Sequence, residues 1–229
     1  MRVLLFGATG MVGQGVLRES LRAPDVDLVQ IIGRTSIEQR DPKLREVIQK
    51  DLYDFTAIEA QLQNFDACFF CLGVSAAALS EADYARITYD LTLAAAQTLA
   101  RLNPQMTFIY VSGAGTDSTE HGRSMWARVK GRTENALRRL PFKAVLLFRP
   151  GIIQPLQGIR SKTRAYRVFY AVTKPILWLL RTGFPSSVLT TETVGLAMLN
   201  AVRNGAPTAV LEARDIRVVS RASRSRNRR

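Results

Sequence analysis

Short, wholly apolar runs alternate with longer stretches of helical spacing over the first two-thirds of the chain. Val3–Phe6, Leu28–Ile32, Ala67–Leu72, Thr107–Val111 and Ala144–Phe148 are the apolar runs, and Val47–Gln49 adds a weaker one. Runs that are apolar at every position, rather than at every second one, predict strands buried on both faces of a parallel sheet. Between them, Val12–Leu21, Ala57–Gln63, Ala82–Leu102 and Ser124–Leu140 predict helices, the last two ended by Asn103-Pro104 and Pro141. Strand and helix in strict alternation predict an α/β fold, a doubly wound parallel sheet with helices on both faces. After Gly151 the rhythm weakens. Ser161–Leu180 holds one or two helices broken near Pro175, Thr191–Arg203 is a helix, and Ala209–Leu211 and Ile216–Val219 read as late strands. The expected organisation is one domain over 1–219, with a core at 1–151 and a small C-terminal substrate-side segment at 152–219. Residues 220–229 form a basic, disordered tail.

Composition sharpens this picture in one respect only. Apolar residues make up 47% and charged residues 22% of the 229, an ordinary globular balance. The net charge of +13 is not ordinary, and it is unevenly placed. Residues 1–159 carry 18 basic and 16 acidic side chains, whereas residues 160–229 carry 14 and 3. Basic and aromatic residues around Arg160–Arg167, beside the apolar Val168–Leu180, suit a pocket lid, a homodimer contact or a weak contact with an anionic membrane. No recognition helix for nucleic acid is visible, so no specific nucleic-acid binding is expected. The N-terminus runs directly into a strand pattern, and the longest apolar stretch is too short to span a bilayer, so a cytoplasmic location is expected.

Two cysteines and one histidine limit the chemistry. Cys68 and Cys71 have C-x-x-C spacing but fall in the strand run Ala67–Leu72, where positions i and i+3 face opposite ways. No metal site is expected, and any Ser-His-Asp triad would have to pass through His121.

Gly7-Ala8-Thr9-Gly10-Met11-Val12-Gly13 follows the first strand and opens the first helix. Glycines there let backbone N–H groups approach a pyrophosphate at the positive end of the helix. The doubly wound sheet is therefore expected to be a Rossmann sheet with a dinucleotide in this turn. The second strand ends in Gly33-Arg34 without the carboxylate that accepts from an NAD ribose, and Arg34 is shaped to pair with a 2′-phosphate. NADP(H) is expected in preference to NAD(H).

The Gly7-x-x-Gly10-x-x-Gly13 turn, with Ile32-Gly33-Arg34, Phe65–Gly73, Val111–Gly115, Val129-Lys130-Gly131 with Glu134, and Phe148–Gly151, resembles the atypical branch of the short-chain dehydrogenase/reductase superfamily. Within it, the Tat-interacting-protein-like oxidoreductases are the nearest group. The resemblance implies an adenosine ribose bordered by Cys71, Leu72 and Gly73, and an adenine edge at Asp51 and Leu52. It also implies Lys130 on the nicotinamide ribose, Pro150 and Gly151 near the nicotinamide, and a small carbonyl or alcohol substrate.

The same resemblance implies a Tyr-x-x-x-Lys pair with an upstream serine. Here the pair is Trp126-x-x-x-Lys130. An indole N–H donates but does not ionise, so Trp126 can orient a carbonyl without replacing a phenol as acid or base. Ser112 is the candidate for polarising the substrate oxygen, with Ser118 and Ser124 as loop alternatives. Two readings stay open: a proton supplied by Tyr166 or by water held on Lys130, or a non-catalytic dinucleotide-binding sensor or scaffold.

Overall fold

The computed structural model describes residues 1–155 and 188–222. The N-terminal strand β1 (Arg2–Phe6) is an interior strand, third from one edge, of a seven-stranded parallel sheet. The chain first moves outward through β2 (Leu28–Gly33) to β3 (Leu44–Ile48) at one edge. It then crosses back to β4 (Ala67–Phe70) on the other side of β1 and continues through β5 (Thr107–Val111) and β6 (Ala144–Arg149). A pair outside the main sheet, β7 (Ile152–Gln154) with β8 (Val188–Thr190), is also parallel, and β9 (Val210–Glu212) closes the far edge beside β6. The reversal between β1 and β4 is the switch point of a doubly wound sheet, where a crevice opens beyond the carboxyl ends of the strands.

Alternate residues of each strand enter two separate cores. Val3 and Leu5 of β1, with Phe69 of β4, pack beneath helix α1 (Met11–Arg22) and helix α5 (Thr191–Asn204). Leu4 and Phe6, with Cys68 and Phe70, face the opposite layer. That layer holds α2 (Glu81–Ala85), α3 (Leu91–Leu102) and α4 (Met125–Leu137). Cys68 thus sits in one core, whereas Cys71 packs against the other. An aromatic ladder crosses the second core. Phe6 stacks on Phe70 at 5.1 Å, Phe70 on Phe108 at 5.9 Å and Phe108 on Phe142 at 5.0 Å between centroids. On the first side α1 and α5 cross closely: a Cβ added to Gly15 would lie 2.6 Å from the Cβ of Thr191, and one added to Gly195 would lie 2.9 Å from the Glu19 side chain.

The structure departs from the sequence pattern in five places. Ala57–Gln63 is a 3₁₀ turn (Thr56–Gln61) rather than an α-helix. The helix expected over Ala82–Leu102 contains a π turn, Arg86–Asp90, between α2 and α3. The strand at Ala67–Leu72 ends at Phe70, which frees Cys71 and Leu72 to turn away from the sheet. Ile216–Val219 is not a strand but part of helix α6 (Ala213–Arg221), started by a reciprocal capping box between Glu212 and Asp215. Ile216 and Val219 are three apart and both buried, a helical spacing that the run of β-branched residues obscured. That helix also carries Ser220 and Arg221, so the first two residues assigned to the tail are structured.

Candidate functional site

Apart from Lys130, which is carried by α4, the expected cofactor residues lie at or beyond the carboxyl ends of the strands. Gly7 follows β1, Arg34 follows β2, Asp51 and Leu52 follow β3, Cys71–Gly73 follow β4, and Pro150 and Gly151 follow β6. Gly7 has φ +81°, and a Cβ there would lie 2.6 Å from the Leu72 amide nitrogen, so the exits of β1 and β4 are pressed together. A Cβ on Gly13 would lie 2.1 Å from the Gly7 carbonyl oxygen, so this glycine lets the helix close against the turn. Gly10 differs from both. A Cβ there would meet only the Gly7 oxygen, at 3.3 Å, which leaves the outer side of the turn open.

The helix start has the matching polarity. Gly10 is the N-cap of α1, no side chain caps it, and its first turn holds no acidic residue. The Gly10 amide donates to the Gly7 carbonyl at 2.9 Å, and Gln14 Nε2 donates to the Thr9 carbonyl at 3.0 Å, fixing the turn from both sides. The amides of Met11, Val12 and Gly13 remain directed along the helix axis toward the open side, where a pyrophosphate would accept from them. The donor set and the open cradle fit a dinucleotide.

Further round the crevice, Arg34 is exposed and makes no ion pair among the described residues. Asp51 is exposed and accepts from the Tyr53 amide at 2.8 Å. The Leu52 side chain is only 3% exposed and belongs to the core, so Leu52 has only its backbone to offer an adenine. Cys71 donates its amide to the Phe6 carbonyl at 3.0 Å, and burial pushes its thiol well above the usual range, away from thiolate chemistry.

The reacting end, between β5 and α4, is built from side chains. Ser112 Oγ donates to Glu134 Oε1 at 2.5 Å. Glu134 is 1% exposed and also takes a bidentate pair from Arg149, through Nε at 3.0 Å and through Nη2. Arg149 in turn donates to Ser118 Oγ at 2.6 Å and lies 3.5 Å from Glu212. The hydrogen bonds and charge of Glu134 hold the Arg149 guanidinium above its ordinary pKa. Glu134 and Arg149 thus carry a network that sequence reasoning left in the background; the buried Glu four residues after Lys130 was its one visible trace. The single hydroxyl proton of Ser112 points into this network, so toward a substrate its oxygen acts as an acceptor.

Lys130 lies one turn before Glu134 on the same face of α4. Its ammonium sits 5.5 Å from the Tyr110 ring centroid and has no hydrogen-bond acceptor or ion-pair partner among the described residues. Burial lowers its pKa to about 8, with the Glu134 carboxylate opposing that shift. Tyr110 itself is 1% exposed and shares a hydrogen bond with Thr133; burial raises its phenol far above the physiological range. It cannot replace the missing tyrosine. Trp126 is half-buried, with its benzo edge over the loop after β5: Cβ atoms added to Gly113 and Gly115 would lie 3.8 and 3.6 Å from it. Ser124 is exposed at the N-cap of α4 without a side-chain cap bond, and Tyr166 lies outside the described residues.

The family model for NAD dependent epimerases and dehydratases matches residues 3–123. The chain belongs to that family. Curated relatives include Protein FMP52, mitochondrial, of Saccharomyces cerevisiae, 30% identical over 166 residues, or 72% of this chain and 69% of that protein. Protein HTATIP2 of Rattus norvegicus is 27% identical over 154 residues, or 66% of this chain and 62% of that protein. The second likeness agrees with the resemblance drawn from the motifs. Among solved structures, the Bordetella bronchiseptica enzyme WbmF in complex with NAD+ superposes with a TM-score of 0.67 at 15% identity, covering 100% of this chain and 79% of that one. UDP-glucose 4-epimerase of Thermotoga maritima gives 0.67 at 14% identity, covering 96% and 82%. At such identities these likenesses establish the Rossmann fold of this epimerase/dehydratase-family chain and nothing finer. The expectation of a cytoplasmic location is overturned: the fungal relatives, from Scheffersomyces stipitis to Saccharomyces cerevisiae, are named mitochondrial proteins. A bare N-terminal strand pattern is too slight a signal to assign a compartment.

Proposed function

We propose that the chain is an oxidoreductase that binds NADP(H) in preference to NAD(H) and acts on a small carbonyl or alcohol. The observation that carries the reading is Gly10: an open position at an uncapped helix N-terminus, beside two glycines that steric contact requires. Bound there, the nicotinamide would supply or accept hydride, chemistry that no side chain of the site provides. The residues of this chain hold and orient. Met11, Val12 and Gly13 present amides to the pyrophosphate, and Arg34 meets a 2′-phosphate with a planar guanidinium. Lys130 presents a protonated amine to the nicotinamide ribose, and the Ser112 oxygen faces the substrate with its own proton held by Glu134. Pro150 and Gly151 border the nicotinamide.

Titration of the purified chain with NADPH and with NADH, followed by intrinsic fluorescence, tests the reading. Saturable NADPH binding at least about 10-fold tighter than NADH is expected, a difference of roughly 1.4 kcal/mol. Failure to bind either nucleotide rejects it. Trp126 favours a second reading, a dinucleotide-binding sensor or scaffold without turnover, because no phenol stands where the superfamily pattern has one. Tight NADPH binding with no oxidation of the cofactor by any carbonyl acceptor identifies that case.

A further inference from the structure

The replacement that removes a general acid also places a half-buried indole at the same position. The Trp126 ring stands over Gly113 and Gly115, residues with no side chain to compete for its neighbourhood. Its indole N–H has no acceptor among the described residues, and the same holds for the Lys130 ammonium one helical turn later. One helix face therefore offers an aromatic plane, a neutral donor and a cation. The nearby Ser112 oxygen is free only as an acceptor.

Chemistry selects the ligand. Reducing an aliphatic ketone generates an alkoxide whose conjugate acid is about as weak as water, with a pKa of roughly 15.7, so a positioned acid matters greatly. Reducing a quinone generates a phenolate-type anion with a pKa of about 10, which a fixed positive charge stabilises without a proton being delivered in the same step. We propose that the substrate of this site is a planar quinone, stacked on Trp126 with its reduced oxygen beside the Lys130 ammonium. The proposal rests on the oxidoreductase reading above and names its substrate class. In the balanced step, the quinone takes up a hydride, which is two electrons and one proton, from the reduced nicotinamide. It takes one proton from solvent, leaving hydroquinone and oxidised nicotinamide. Lys130 stabilises the intermediate anion; although burial lowers its pKa to about 8, the amine stays mostly protonated at pH 7.

The test has one arm without cofactor and one with it. The chain contains two tryptophans, Trp126 and Trp178, so a Trp178→Phe protein reports on Trp126 alone. Titrating it with 9,10-phenanthrenequinone should quench the remaining indole saturably, and cyclohexanone at the same concentrations should not. With NADPH, the wild-type chain should reduce the quinone at least about 100-fold faster than cyclohexanone. Trp126→Leu should raise KM for the quinone about 10-fold or more while the NADPH Kd, read separately by fluorescence, stays within about 2-fold of wild type. Absence of saturable quenching, comparable rates on the two acceptors, or an unchanged KM in Trp126→Leu overturns the proposal. NADPH binding without quinone reduction also overturns it while leaving nucleotide binding intact. Absence of nucleotide binding brings down the reading beneath it.

Discussion

The β1–α1 turn and the β5–α4 junction face the same crevice but are built by opposite means. The turn is made by leaving side chains out: Gly7 and Gly13 admit backbone to within a distance that a Cβ would forbid, and Gly10 leaves room for a ligand. The junction is made by putting side chains in: Ser112, Glu134, Arg149 and Ser118 form one chain of hydrogen bonds that runs from the buried Glu134 out to the exposed Ser118, with Lys130 and Trp126 nearby on α4. Steric exclusion is nearly all-or-none, so the turn keeps the pattern of its family. A side-chain network tolerates substitution if charges and donors stay matched. That is why a tryptophan can stand at a position expected to hold the acid while the residues behind it remain in place.

The most direct test of this contrast is a single methyl group. Gly13→Ala places a Cβ 2.1 Å from the Gly7 oxygen, so the turn must open. Nucleotide binding should be lost, with destabilisation of about 2–4 kcal/mol in urea melts. Gly10→Ala has only a 3.3 Å contact to relieve. It should leave the melt near wild type yet weaken NADPH roughly 10-fold or more, because the methyl occupies the phosphate side. Equal melts for the two variants would break the distinction between the glycine that packs and the glycine that receives.

At the junction, Glu134→Leu leaves the Arg149 guanidinium, 11% exposed, with the Ser118 hydroxyl and, as counter-charge, the more distant Glu212. A loss of about 3–5 kcal/mol in stability is expected, larger than for any exposed ion pair of the chain. Returning to the nucleotide, Arg34→Ala should weaken NADPH by about 10- to 100-fold and leave NADH almost unchanged, as the loss of a charge-assisted pair to one phosphate implies. Equal weakening removes Arg34 from that role.

The smallest effect is a pH dependence. The folded Lys130 amine has its pKa lowered to about 8 from 10.5. Between these values the unfolded chain binds more protons than the folded one, so this group makes stability rise with pH across that window. Below about pH 8 its burial as a cation is a standing cost. Lys130→Met should therefore be more stable than wild type at pH 7 and lose that advantage by pH 10, compared in parallel urea melts. A constant difference would mean that the amine is better solvated than its surroundings suggest.

What could be read in the sequence follows the same division. Continuous apolar strands, the glycine turn and the order of the core were legible because each is set by local chain geometry and one period. The π turn at Arg86–Asp90 was not, since it depends on how a long helix accommodates α4. Helix α6 was misread because Ile216–Val219 taken alone suits a strand, and only the Glu212–Asp215 box and the buried spacing show the helix. Within the site, the departure at Trp126 was legible as a residue, but its position over Gly113 and Gly115 was not. The direction of the Ser112 proton was likewise hidden, because Glu134 reaches it from 22 residues away in the chain.

The contact between Gly15 and Thr191 gives helix α1 a second task. A twelve-residue helix moves as a stiff rod, and at this crossing it has no compressible side chain between itself and the first residue of α5. One end of the rod carries the amides offered to a pyrophosphate. Its middle bears on the place where the chain re-enters the described fold after residue 187. A displacement of the phosphate end would therefore be felt first at Thr191, the opening residue of α5.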